Sequence, residues 1–247
     1  MTTTPTSPER LPDRSRPLAP VPATPATILF AILYAGCFLV LPVVQRLAGP
    51  LPAPETAGRI WATAVAYTVL GGLAAFAFRG ALTEGTRRLA ARGRSLLWRL
   101  PAAALLVIAV VTAGALLAEA LSAALGIGAE ELGNDERLGL AFAVLPPAVS
   151  IAVAGLLGPF VEETFFRLLL LGGLSRVLPF WTALTLSGAL FGFMHAGSFA
   201  PAELVGVLPH VSVGIGLGIV SRWTGSIVVP IGLHALINLG AVLPAVL

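Results

Sequence analysis

The stretch TILFAILYAGCFLVLPVV, residues 27–44, runs eighteen residues without a charged side chain, and apolar runs of this kind recur to residue 247, broken by clusters of arginine, proline and acid. A helix needs about 20 apolar residues to cross the hydrocarbon of a bilayer, where a backbone must satisfy its own polar groups. The chain therefore reads as an all-α polytopic transmembrane helix bundle. Cutting it at the polar clusters predicts eight spans, near 26–47, 60–78, 101–125, 139–158, 160–176, 181–198, 203–221 and 226–246. The fourth and fifth are parted only at Gly158 and Pro159, so a single bent segment, with a count of seven, is the competing reading.

Charged residues make up 11% of the chain, against about 25% in a soluble domain. All 15 basic residues are arginine. That bias, with abundant Ala, Gly and Pro, points to a GC-rich bacterium and its cytoplasmic membrane. The net charge of +3 does not imply nucleic acid as a partner, because the arginines gather in connecting segments, where membrane topology accounts for them. Arg79, Arg87, Arg88, Arg92, Arg94 and Arg99 follow the second span, and the positive-inside rule puts that segment in the cytoplasm. The acidic connection with Glu130, Glu131, Asp135 and Glu136 then falls outside, and eight crossings leave both termini cytoplasmic. Trp61, Trp98, Trp181 and Trp223 lie near span ends, as interfacial anchors do.

Residues 1–25, rich in Pro, Thr, Ser and Arg, read as a flexible cytoplasmic tail without a signal-peptide pattern. Residues 26–138 read as N-terminal transmembrane helices, and 139–247 as the membrane domain that carries the chemistry. The single cysteine, Cys37, forms no internal disulfide and reads as a small buried hydrophobe. Gly214, Gly216 and Gly218 read as close helix packing rather than a phosphate loop.

Ionisable groups in hydrocarbon cost about 2.5 kcal/mol or more each on insertion scales, so each retained one asks for a reason. In GPFVEETFFR, Glu163 and Arg167 stand at i and i+4 on one helical face and can neutralise each other. Glu162 is turned about 140° from Arg167 at 3.6 residues per turn and has no charge partner in its own helix. Phe191 and His195 stand one turn apart near the end of the sixth span, expected to approach Glu162 on the cytoplasmic side. His234 and Asn238 share one face of the last span, at a depth expected nearer the midplane than Glu162. Together a carboxylate, two histidines and an amide supply a proton acceptor, a water-orienting imidazole and oxyanion donors, which are parts for hydrolysis. Glu119, Glu203 and His210 read as hydrogen-bonding, helix-start and packing residues.

Glu-Glu-x-x-x-Arg at 162–167, Phe-x-x-x-His at 191–195 and His-x-x-x-Asn at 234–238, in this order, resemble the CPBP intramembrane protease family, which includes the type II CAAX prenyl endopeptidases. The resemblance covers about residues 140–247. It implies a multi-helix membrane endopeptidase opening toward the cytoplasm, acting on a membrane-associated peptide or protein within the lipid bilayer. It implies Glu162 as general base assisted by His195, His234 and Asn238 as oxyanion donors, and Glu163, Arg167 and Phe191 as support. A divalent metal such as zinc is left open, with Glu162, His195 and His234 as its ligands, although no His-Glu-x-x-His pair is present. A CAAX-prenyl substrate is not implied. The competing functions are a proton-coupled transporter using the same acid and histidines as a relay, and a non-catalytic immunity or scaffold protein.

Overall fold

The computed structural model describes residues 21–48, 53–127 and 133–247. Most of the tail expected over 1–25, and Glu130 and Glu131 of the acidic connection, lie outside those residues.

The apolar runs fold as helices: α1 (Pro25–Val44), α2 (Ala53–Ala77), α3 (Arg79–Ala90), α4 (Leu96–Leu125), α5 (Gly133–Val144), α6 (Pro147–Leu174), α7 (Phe180–His195), α8 (Leu208–Thr224) and α9 (Val228–Val246). Among the described residues six helical stretches are long and apolar enough to cross a membrane, including α6 and the stretch Pro201–Thr224 that ends in α8. The 16 residues of α7 rise about 24 Å at 1.5 Å each, short of the roughly 30 Å of hydrocarbon.

One expectation changes. The fourth and fifth spans are one helix, α6, so Pro159 lies inside a helix rather than at the start of one. A proline there lacks the N–H of the helical ladder and its ring crowds the carbonyl four residues back. The helix absorbs this by widening to π geometry over Ile151–Leu157, just before the proline. A second π stretch, Thr164–Leu171, follows the two glutamates.

Contacts between helix ends fix which of them lie together. Arg88 Nη1 donates to the Gly225 carbonyl at 3.2 Å and Arg92 Nη2 to that of Thr224 at 2.7 Å, while Arg176 Nη2 reaches the Val21 carbonyl at 3.5 Å. The start of α1, the arginine-bearing α3, the end of α6 and the turn before α9 therefore share one end of the bundle. From there α9 runs 19 residues toward the other end. Val21 and Leu247 thus lie at opposite ends of the bundle, whereas the expectation of two cytoplasmic termini rested on eight crossings.

Packing is tightest around α8, which lies against α4 and α7. A Cβ on Gly214 would stand 2.9 Å from the Gly188 Cα, so α7 and α8 approach to a distance that only glycine permits. Large apolar side chains remain exposed on the bundle's flanks, among them Leu105, Ile108 and Leu116 of α4, as a lipid-facing surface requires. All four tryptophans are exposed, and Trp98 and Trp223 lie 6.1 Å apart at the arginine-bearing end.

Candidate active site

Because α6 is continuous, Glu162 sits mid-helix, about 22 Å from Pro147 at 1.5 Å per residue. Its depth matches that of His234 in α9, and the expected mismatch between them disappears: His234 Nε2 lies 3.8 Å from Glu162 Oε2. The same imidazole places Nδ1 3.2 Å from Glu163 Oε1. A carboxylate only accepts, so Nδ1 carries the proton in this contact.

Glu163 and Arg167 pair as their spacing predicts, in a two-pronged contact: Arg167 Nε donates to Oε2 at 2.8 Å and Nη2 to Oε1 at 2.9 Å. Both side chains are wholly buried. Arg167 Nη1 finds no hydrogen-bond partner, and the guanidinium carbon lies 5.4 Å from the Phe191 ring centre, within cation–π range. Phe191 is also the spacer between the histidines, its ring 5.0 Å from His195 and 5.6 Å from His234. Beneath it, Tyr34 of α1 stacks on Phe165 at 4.2 Å and Phe166 meets Phe191 edge-on at 5.1 Å. This aromatic floor fixes α6 against α1 and α7.

The remaining predicted residues line one cavity. Glu162, His195 and Asn238 all face a space of about 510 Å³ walled by α1, α2, α5 and α6. His195 Nδ1 is 2.8 Å from the Phe191 carbonyl. A carbonyl only accepts, so Nδ1 is the donor and Nε2 of a neutral His195 is the acceptor. Asn238 Nδ2 donates to the Ala154 carbonyl at 2.9 Å, tying α9 to the π-helical part of α6 and leaving one amide N–H.

Two residues of the site were not singled out as functional by the sequence. Tyr67 of α2 donates its hydroxyl to Glu162 Oε1 at 2.8 Å. Its signal was a phenol in an apolar span, one of two tyrosines in the chain. His210 of α8, read as a packing residue, stacks on His195 with ring centres 4.4 Å apart and planes 22° from parallel. By contrast, Glu119 is exposed on α4, away from the cavity lining. Glu203 accepts from the Gly197 N–H at 2.8 Å and closes the turn after α7.

The zinc option does not fit these side chains. Zinc takes its N and O donors at about 2.0–2.2 Å around one point. Among the described residues no three His, Cys, Asp or Glu side chains gather as a ligand group.

The cavity lies toward one end of the bundle. Its walls are Cys37–Pro42 at the far end of α1, Arg59–Tyr67 at the near end of α2, Arg137–Leu145, and Ser150–Gly158. All of these lie away from the end that carries α3 and its arginines. The expectation of a meeting on the cytoplasmic side assumed that Glu162 opened a span, whereas it lies in the middle of α6.

Residues 144–240 match the family model described as type II CAAX prenyl endopeptidase Rce1-like. A Bacillus subtilis (strain 168) protein named "Putative membrane peptidase YdiL" is 30% identical over 113 residues, covering 46% of this chain and 43% of that protein. The alignment thus spans less than half the length of the relative. No solved structure matches the chain. The family match covers the stretch that holds all three motifs, and both findings agree with the resemblance to the CPBP intramembrane protease family.

Proposed function

We propose that the chain is an intramembrane endopeptidase that hydrolyses a peptide bond of a membrane-associated protein or peptide, with Glu162 as the base that activates water. The observation that carries this reading is the 3.8 Å between Glu162 Oε2 and His234 Nε2 beside a cavity also lined by His195 and Asn238. That separation is too long for a direct hydrogen bond and admits a water about 2.8 Å from each atom.

In this mechanism Glu162 removes a proton from the water as its oxygen adds to the scissile carbonyl carbon. His195, with Nδ1–H given to Phe191, offers Nε2 to orient the water. The carbonyl π electrons move to oxygen, and the developing oxyanion is met by the spare N–H of Asn238 and by Nε2–H of His234 as imidazolium. Protonated Glu162 then gives its proton to the leaving nitrogen as the C–N bond breaks. Glu163 and Arg167 touch no reacting atom. Glu163 holds His234 by Nδ1, and Arg167 balances its charge.

The decisive experiment compares membrane peptides in cells carrying the wild-type chain and Glu162→Gln. Peptides that depend on the wild type should disappear in the variant, and identical peptide sets would refute the reading.

Two neighbours have smaller expected effects. Tyr67→Phe removes the bond that fixes the Glu162 carboxylate, and turnover should fall about tenfold, equivalent to ~1.4 kcal/mol, with substrate affinity unchanged. Unaltered turnover would mean that the phenol does not position the base. His210→Ala should lower turnover about three- to tenfold, in line with ~0.5–1.5 kcal/mol for a ring pair, while His210→Phe keeps the stack and most of the rate. Equal loss in both variants would show that the imidazole nitrogens matter instead.

A further inference from the structure

We infer that the site is reached from the non-cytoplasmic face of the membrane, and that its substrate is a peptide segment exposed on that face. The substrate half of this statement rests on the peptidase reading; the sidedness does not. Three observations carry it.

The first is the distribution of arginine. Arg79, Arg87, Arg88, Arg92, Arg94 and Arg99 lie in and beside α3, and Arg176 and Arg222 close the same end of the bundle. The far end holds Arg46, Arg59 and Arg137 among the described residues, with Asp135 and Glu136 beside the last of them. Short basic segments next to spans stay in the cytoplasm, and Asp and Glu have little influence on this choice. The arginine-bearing end is therefore the cytoplasmic one.

The second is the position of the cavity. It is lined from Arg59 and Arg137 inward to Tyr67 and Glu162. From Arg59 to Tyr67 is eight residues along α2, about 12 Å at 1.5 Å per residue, so Glu162 lies well below the mouth. The third is that the cavity bordering Glu162 has none of the arginines of the opposite end among its lining residues. A separate cavity of about 670 Å³ exists at the arginine-bearing end, lined by Phe76, Arg79, Arg88 and Ile227 among others. None of Glu162, His195, His234 or Asn238 borders it. Along α6 toward that end, the Glu163–Arg167 pair and the Phe165 and Phe166 rings, with Phe191 against them, are buried.

The chain carries its own reporter, because its single cysteine, Cys37, lines the cavity. A membrane-impermeant maleimide is applied to right-side-out spheroplasts and, separately, to inside-out vesicles bearing the full chain. Cys37 should label in spheroplasts and stay at background in inside-out vesicles. Since Cys37 is half-buried, a second reporter, Thr63→Cys in a Cys37→Ser background, samples an exposed residue of the same lining. Ala91→Cys in that background, at the end of α3, should label with the reverse preference.

Labelling of both cavity reporters only in inside-out vesicles overturns the sidedness, and so does failure of both to react from either face. The substrate half is read from the peptides that depend on Glu162. Their cut sites should fall in segments on the non-cytoplasmic side, and cuts confined to cytoplasmic loops would overturn it. Should no peptide depend on Glu162 while the cysteines label as expected, the peptidase reading fails and the sidedness stands.

Discussion

Glu162→Gln should yield a folded, membrane-inserted protein whose cleavage rate is lower by about 10²–10⁴-fold, the range that removal of a general base produces. Glutamine keeps the volume of the side chain, and its amide oxygen can still accept the Tyr67 hydroxyl that now holds Oε1 at 2.8 Å. What it lacks is a lone pair basic enough to take a proton from water. No neighbour replaces it: Glu163 is bound on both oxygens by Arg167, and His234 is committed to Glu163 through Nδ1. Nor should the fold suffer, because burying an ionised carboxylate is itself costly and a neutral amide is cheaper to desolvate. The check is a pair of measurements on one detergent-purified sample, thermal unfolding and cleavage of a membrane peptide. Unchanged unfolding with a lost rate supports Glu162 as the base; a rate within tenfold of wild type removes it from that role.

What the sequence made legible and what it hid divide along a physical line. Relations within one helix were readable, because 3.6 residues per turn fixes them. Glu163 with Arg167 was recovered as a pair, and Glu162 was correctly left without a partner in its own helix. Phe191 and His195 fall one turn apart as read, with the His195 ring held to the Phe191 carbonyl. The glycines of α8 do pack closely, as the contact of Gly214 with Gly188 requires.

Relations between helices were not readable. Tyr67 is 95 residues from Glu162 in sequence and lies outside the family match, so only packing of α2 against α6 brings it in. His210 lies inside that match, but only the packing of α8 against α7 sets its ring on His195. Pro159 was the most consequential ambiguity. A proline followed by two acids has the local chemistry of a helix start, and it also fits a helix interior when the preceding turn widens to i→i+5 bonding. The choice depends on whether the 147–158 stretch continues in line. That one choice sets the depth of Glu162 in its helix, and with it the approach of Glu162 to His234.

Glu163→Ala carries the largest expected cost in stability. Glu163 and Arg167 are both at zero exposure, and the carboxylate is the acceptor for two guanidinium bonds and for His234 Nδ1. Deleting it strands a buried cation whose Nη1 already lacks a hydrogen-bond partner, and breaking a buried pair from one side costs about 3–5 kcal/mol. Arg167→Met should be damaging for the mirror reason, leaving Glu163 buried with only His234 beside it. The informative variant is the double one, Glu163→Leu with Arg167→Met, which removes both charges and keeps apolar volume. Replacing a whole buried pair is often neutral or stabilising, so the double variant should unfold closer to wild type than either single one, a coupling readable in a double-mutant cycle. Additive losses would mean that the two side chains stabilise α6 separately, through packing rather than charge. In the coupled case the double variant should still cleave poorly, because His234 has lost the carboxylate that holds Nδ1 and with it the alignment of Nε2 toward Glu162. Stability recovered without activity would separate the structural work of the pair from its work in positioning the imidazole.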